Sequence, residues 1–267
     1  MKKTAMAKLV LAFFLMFLIS GAAQAADEKK ILFKVPTCFS STWPGLGDSI
    51  LYISKRLELV SGGSMKMKVY EPNKLVAPFE IMDAVSKGKI NAGYAMAAYW
   101  QGKVPAAAFF SAIPFGPEAG EYLAWLWYGD GLKLWQALYD DSGYNVKVLP
   151  CSVIAPETSG WFAKEIKSVD DLKGMRMRFF GLGGRTMQKL GVSVSQIPGG
   201  EIFPALEKGA LDATEYSMPA IDKMLGLHKI VKYNYYPGWH QQATVGELLI
   251  NKDVWNSLSD RQKALLE

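Results

Sequence analysis

The stretch Glu80–Ala92 recurs at Glu201–Ala213, a constant offset of 121 residues. Glu80, Ile81, Ala84, Lys87, Gly88 and Ala92 meet their own kind at Glu201, Ile202, Ala205, Lys208, Gly209 and Ala213. Each copy opens with apolar residues at helical spacing, stops at its Gly and goes on as a short apolar run. Gly just past a helix enters the left-handed backbone region without a Cβ penalty, so each copy reads as helix, stop, strand. Solenoid units repeat every ~20–50 residues, and this offset is far too wide for one. Two copies so far apart predict two similar lobes, each on its own sheet. Ligands of open α/β sheets sit beyond the carboxyl ends of the strands, so a ligand would lie between the lobes.

The rest of the chain alternates in the same manner. Strand patterns cover Ile31–Pro36, Met65–Tyr70, Ile90–Met96, Tyr144–Leu149, Met175–Phe180, Val192–Ile197 and Leu211–Tyr216. Helical spacing covers Leu46–Val60, Phe79–Ser86, a long Trp-rich stretch Tyr122–Tyr139, Arg185–Leu190 and Ile202–Glu207. Alternation of this kind predicts an α/β fold of mostly parallel sheets covered by helices.

Residues 1–25 read as an export leader. Lys2, Lys3 and Lys8 precede the apolar run Leu9–Ser20, and Ala23-Gln24-Ala25 supplies small residues for cleavage. No Cys follows the run, which argues against a lipid anchor, so a periplasmic product of the Sec route is expected. The formal charge of +5 falls to about +2 without the leader lysines, and the remaining Lys and Arg are scattered. Nucleic-acid binding would need a concentrated basic face, and none is present. Eight Trp and twelve Tyr suit a large core or an aromatic-lined cleft. Cys38 and Cys151 are the only cysteines. They read more readily as two small buried side chains than as a bridge.

Catalytic patterns are scarce. The two histidines, His228 and His240, stand in no zinc or nucleophile motif. Gly181-Leu182-Gly183-Gly184 follows a strand, but the dinucleotide fingerprint fails at Thr186, so the run reads as a tight turn able to offer N–H groups to an anion. Met175-Arg176-Met177-Arg178 puts both Arg on one strand face. Arg178 lies at the strand end beside aromatics and the glycine run, where a guanidinium can clamp a carboxylate with two parallel hydrogen bonds.

From Pro36 to its last residue the chain resembles the extracytoplasmic solute receptors of tripartite ATP-independent periplasmic (TRAP) transporters, of the DctP type. The resemblance is carried by Ser61-Gly62-Gly63, Phe79-Glu80-Ile81 with Asp83-Ala84-Val85 and Lys87-Gly88, and Tyr99-Trp100 with Gly102-Lys103. Gly160-Trp161-Phe162, Asp171-Leu172-Lys173-Gly174 with the arginine strand, Pro198-Gly199-Gly200-Glu201-Ile202 and Tyr236-Pro237-Gly238-Trp239-His240 complete it. It implies a two-lobed periplasmic binding protein fold, with hinge strands and a long connecting helix. The expected division is residues 26–150 mainly in lobe 1, 151–240 mainly in lobe 2, and 241–267 as a return segment starting the C-terminal helices. Family members run on further, and Ser259–Glu267 reads as the start of a helix without a C-cap, so a longer protein is expected.

The branch resembled takes 2-oxo or 2-hydroxy monocarboxylates with a metal cation. By that resemblance Arg178 grips the substrate carboxylate, Tyr99, Tyr216 and Glu157 contribute to the substrate site, and Glu157, Glu215 and Gln241 hold the cation. The chain departs from the branch pattern: Glu157 replaces a usual Gln, Gln241 a usual Glu, Tyr216 a usual Trp, and Val153 an Asn that often touches substrate. The two exchanges are opposite, so two carboxylates and an amide oxygen remain, a hard set suited to Ca²⁺ or Na⁺. The function implied is delivery of a small organic acid to the small and large integral membrane subunits of a TRAP permease, not catalysis; a homodimer is left open. The alternatives are a metal-independent receptor for a dicarboxylate, sulfonate or amino acid, and, more remotely, a secreted metal-dependent enzyme.

Overall fold

The computed structural model describes residues 28–267; the expected leader, residues 1–25, lies outside the described residues. In chain order the strands are Ile31–Pro36 (β1), Met65–Tyr70 (β2), Ala92–Met96 (β3), Val146–Ile154 (β4), Gly160–Phe162 (β5), Arg176–Arg178 (β6), Ser193–Ser195 (β7), Ala213–Thr214 (β8), Tyr233–Tyr235 (β9) and Thr244–Asn251 (β10). The α-helices are Asp48–Val60 (α1), Ile81–Ser86 (α2), Ala119–Tyr128 (α3), Gly131–Asp141 (α4), Gly181–Lys189 (α5), Gly199–Glu207 (α6), Pro219–Leu225 (α7), Lys252–Asn256 (α8) and Asp260–Leu266 (α9).

β1 and β2 pair in parallel, and a parallel bridge from Thr37 to Tyr94 joins them to β3. β3 pairs antiparallel with β10, which pairs antiparallel with β4. The first side of the molecule therefore has the strand order β2-β1-β3-β10-β4. The second sheet runs β7-β6-β8-β5-β9. Its pairings match one for one: β6 is parallel to β7 and β8, and β5 is antiparallel to β8 and β9.

The sequence repeat maps onto this match. α2 stops at Gly88 (φ +68°) and leads into β3; α6 stops at Gly209 (φ +66°) and leads into β8. β3 and β8 hold the same place in their sheets, each between a parallel and an antiparallel neighbour. The first sheet draws its strands from residues 31–154 and 244–251, so the chain crosses to the second sheet and returns. Alternation in β2 buries Met65 and Met67 and exposes Lys66 and Lys68, the half-wet face its sequence predicts.

Several readings need correction, the first being that the sheets are mostly parallel: β3–β10, β10–β4, β5–β8 and β5–β9 all pair antiparallel. Tyr122–Tyr139 is two helices, α3 and α4, with extended backbone at Gly129 between them. A Cβ at Gly131 would come 2.8 Å from the Leu126 Cα, so the sharp break depends on the missing side chain. The helix expected from Arg185 begins four residues earlier, at Gly181, so the glycine run is its first turn. β5, β9 and β10 were not read from the sequence. No helix among the described residues exceeds the 13 residues of α1, so they contain no long connecting helix, and none is long and apolar enough to cross a membrane. Cys38 and Cys151 are both free; Cys38 is buried, its Sγ donating to the Pro78 carbonyl.

Candidate functional site

Strand alternation treats Arg176 and Arg178 alike, yet they meet different fates. Arg176 stays exposed and pairs with Asp212 at 2.6 Å. Arg178 ends β6, where the chain past β8 folds over it, and only 1% of it is exposed. Its Nη1 donates to the Glu215 carboxylate at 2.6 Å and to the Glu215 carbonyl at 2.9 Å, and its Nε donates to the Ile197 carbonyl at 3.3 Å. The guanidinium lies over the rings of Tyr216 and Phe180, 5.1 and 5.5 Å from their centroids. No partner among the described residues engages Nη2.

Glu215 sits one residue past β8 and is fully buried. Its Oε1 accepts from Arg178 and from the Phe180 N–H at 2.8 Å. Its Oε2 has no hydrogen-bond partner among the described residues and lies 3.6 Å from His240 Nε2. The same Nε2 lies 3.2 Å from Glu157 Oε2. Glu157 follows β4, and its carbonyl accepts from Gly238 N–H at 2.9 Å. A Cβ on Gly238 would stand 2.4 Å from that carbonyl oxygen, so the Pro-Gly-Trp-His run needs its glycine to bring His240 alongside Glu157.

Glu157, Glu215 and His240 thus form a buried cluster whose ligand-type atoms lie within 4.8 Å of one another. Burial pushes the Glu157 carboxyl up to about 7, a rise that the His240 hydrogen bond only partly offsets. Burial also works to raise Glu215, but the Arg178 charge and His240 overcome it and hold that carboxyl below its ordinary value. For His240 burial works downward, and the two carboxylates outweigh it, lifting the ring to about 9. At neutral pH the site already balances most of its own charge, with Arg178 facing the cavity.

One cavity collects side chains from both sheets. Phe39, Met96, Tyr99 and Ile154 come from the first side; Glu157, Arg178, Phe180, Tyr216 and Gln241 come from the second side and the return segment. Arg178, Glu157, Tyr99, Tyr216 and Gln241, the residues singled out by resemblance, therefore share it, while Glu215 lies beneath Arg178. Tyr99 packs edge-on against Phe79 and Phe180 and at a tilt against Phe39. Gly199 leaves room for the Tyr216 ring, since a Cβ there would meet the phenol oxygen at 2.2 Å. The Tyr216 hydroxyl, both Gln241 amide atoms and the Ser217 hydroxyl are buried without partners among the described residues. Val153 is 39% exposed on β4 and does not line the cavity; its neighbour Ile154 does.

His240 is the residue that sequence reasoning passed over. It stands in the quoted Pro-Gly-Trp-His run, next to Gln241, but no local pattern marks a lone His as facing two distant carboxylates. The glycine run has a packing reason as well. A Cβ on Gly183 would lie 2.5 Å from the Phe179 ring and 3.0 Å from the His240 Cβ.

A buried polar atom without a partner calls for an explanation, and a bound ion or ligand is one. Glu215 Oε2 and Gln241 Oε1 fit a cation in that sense, and Arg178 fits a carboxylate. Two congruent sheets with such a cavity between them define a two-lobed solute-binding protein. The chain belongs to the bacterial extracellular solute-binding proteins of family 7, whose model matches residues 44–267.

Over 222 residues the chain is 40% identical to a monocarboxylate 2-oxoacid-binding periplasmic protein of Nostoc sp., covering 82% of this chain and 60% of that one. The chain thus spans less than two thirds of that relative's length. A TRAP transporter solute-binding protein from Bordetella bronchiseptica, a dimer with copurified calcium and picolinate, superposes with TM-score 0.86 at 33% identity, over 90% of this chain and 70% of that one. A TRAP periplasmic solute-binding protein from Colwellia psychrerythraea, with bound calcium and pyruvate, gives TM-score 0.84 at 34% identity, over 89% and 72%. One from Pseudoalteromonas atlantica, with sodium and pyruvate, gives 0.85 at 33%, over 89% and 71%.

Proposed function

We propose that this chain captures a small 2-oxo or 2-hydroxy monocarboxylate together with a cation and delivers it to the membrane subunits of a TRAP transporter. The observation that carries this is Arg178: a buried guanidinium on the cavity wall, fixed on one edge by Glu215 and Ile197, with Nη2 unengaged. A substrate carboxylate can take Nη2, and the unpartnered Tyr216 hydroxyl belongs to a residue lining the same cavity. Glu157, Glu215 and Gln241 are the oxygen donors assigned to the cation, and the relatives that carry calcium or sodium beside pyruvate support the pairing. Export through the leader at residues 1–25 would place the receptor in the periplasm.

Calorimetry against pyruvate, lactate and longer 2-oxo acids tests the reading. Micromolar or tighter binding of at least one is expected; no binding to any monocarboxylate overturns it. Repeating the titration after chelation, in sodium-free buffer, tests the cation: undiminished affinity would point to a metal-independent anion receptor.

A further inference from the structure

The assigned cation ligands are all oxygens, yet a nitrogen, His240 Nε2, faces both buried carboxylates. We propose that His240 Nε2 is itself a ligand of the cation, which makes this a mixed nitrogen–oxygen site that prefers a divalent transition ion to Ca²⁺ or Na⁺. The inference rests on the reading that a cation accompanies the anion here, and names which cation and which atoms.

Three facts carry it. The first is spacing. Ligands about 2.0–2.1 Å from a tetrahedral zinc ion stand about 3.3–3.4 Å from each other. His240 Nε2 is 3.2 Å from Glu157 Oε2 and 3.6 Å from Glu215 Oε2, which brackets that edge length. The second is open valence. Glu215 Oε2 has no hydrogen-bond partner among the described residues although Glu215 is fully buried, and it is the oxygen that faces the ring. The third is how the ring is held. Phe179 meets it edge-on with centroids 4.8 Å apart, Trp239 flanks it at 5.8 Å, and Gly183 leaves room for its Cβ. The imidazole is therefore aimed by packing and not by a hydrogen bond at Nδ1, which has no partner among the described residues.

The donor set follows. With His240 in the place given above to Gln241, two carboxylate oxygens and one imidazole nitrogen give three protein ligands, the number that leaves a fourth position free for an incoming group. That group would be the bound acid, on the Arg178 side. Imidazole suits Zn²⁺, Co²⁺ and Ni²⁺, while Ca²⁺ takes 6–8 oxygens at about 2.3–2.6 Å and gains little from a nitrogen.

The experiment uses the full chain, stripped with chelator and dialysed free of sodium. Pulsed electron paramagnetic resonance of the Mn²⁺-loaded protein should show ¹⁴N modulation from one imidazole, absent in His240→Gln. By calorimetry, Zn²⁺ and Co²⁺ should bind at least tenfold more tightly than Ca²⁺. His240→Gln should weaken Zn²⁺ and Co²⁺ at least tenfold while leaving Ca²⁺ within about threefold. Absence of ¹⁴N modulation in the unaltered protein, an unchanged Zn²⁺ to Ca²⁺ ratio in His240→Gln, or no ion bound at all would each overturn the proposal. The resonance measurement needs no variant, so a His240→Gln chain that fails to fold does not spare it. A pyruvate titration run in parallel separates the two readings. Acid binding without a nitrogen-ligated ion sinks only this inference; a nitrogen-ligated ion with no monocarboxylate binding sinks only the receptor reading.

Discussion

Tyr94 in β3 and Glu215 just past β8 occupy the same place in the two halves of the repeat and end in opposite chemistry. The Tyr94 hydroxyl donates to the Leu46 carbonyl at 2.7 Å and meets Ser152 Oγ at 2.6 Å, so it is uncharged and satisfied. Glu215 is ionised by Arg178 and keeps one oxygen without a partner. The first sheet has a buried carboxylate of its own, Glu247 in β10, but both of its oxygens are used, one by Trp100 Nε1 and the other by the Tyr139 hydroxyl at 2.6 Å. Among the described residues, unpartnered buried atoms gather mostly at Glu215, Tyr216, Ser217, His240 and Gln241, although Trp135 Nε1 and Gln101 Oε1 on the first side also lack partners. One copy of the motif has become a closed wall and the other an open grip. A buried polar group whose bonds are complete serves the fold, and one whose bonds are incomplete is available to a ligand.

The largest effect should come from Arg178. Arg178→Ala removes the larger of the two charges that compensate Glu215, so ligand-free stability should fall by ~3–5 kcal/mol, and affinity for the bound acid by ~2–4 kcal/mol. Adding Glu215→Gln should return part of the stability and none of the affinity. Urea unfolding and calorimetry measure the two separately. Full stability in Arg178→Ala would mean that the Arg178–Glu215 pair is no more functional than Glu247 with its two donors.

Glu247 tests the other half of the comparison. Burial pushes its carboxyl up to about 7, opposed only in part by the Tyr139 and Trp100 hydrogen bonds. In the unfolded chain it titrates near the ordinary value of 4.5. The folded state thus holds its proton more tightly, and stability falls as pH rises from about 4.5 to about 7, then carries a constant penalty above that. Glu247→Gln can keep contacts to Trp100 and Tyr139 without the charge. It should raise stability by ~1–3 kcal/mol at pH 8, with the gain gone near pH 5, and leave ligand affinity unchanged. A loss of affinity would show that the closed wall takes part in binding.

How much of this was legible in the sequence depends on range. The repeat, its Gly stops and the strands they lead into rest on local periodicity and a single backbone requirement, and those survive into the fold. Arg178 was legible by its place at a strand end, although alternation could not tell it from Arg176; the cover supplied by Tyr216 and Glu215 does that. β10 escaped because Gly246 and Glu247 interrupt its apolar run, and Glu247 is tolerated there only because Trp100 and Tyr139 arrive from elsewhere. The break between α3 and α4 escaped because the Trp-rich face runs on past Gly129 with helical spacing. His240 escaped because its meaning lies in two carboxylates 25 and 83 residues away in sequence.

The smallest effect tests whether the two halves share a frame at all. Gly88 and Gly209 stop the two equivalent helices at φ +68° and +66°. A Cβ at Gly209 would have no atom within 4 Å, and at Gly88 only the Asn251 amide nitrogen at 3.9 Å, so neither site is crowded. The cost of Ala at either place is then the intrinsic cost of a left-handed residue, ~1–2 kcal/mol. Gly88→Ala and Gly209→Ala should each lower the urea midpoint by a similar amount, agreeing to within ~0.5 kcal/mol, with m-values unchanged and ligand affinity intact, because distant independent sites add. The double variant should lose the sum of the two. A cost confined to one position would mean that the matching glycines end helices of different standing in the fold. The likeness between the halves would then stop at strand order and pairing direction.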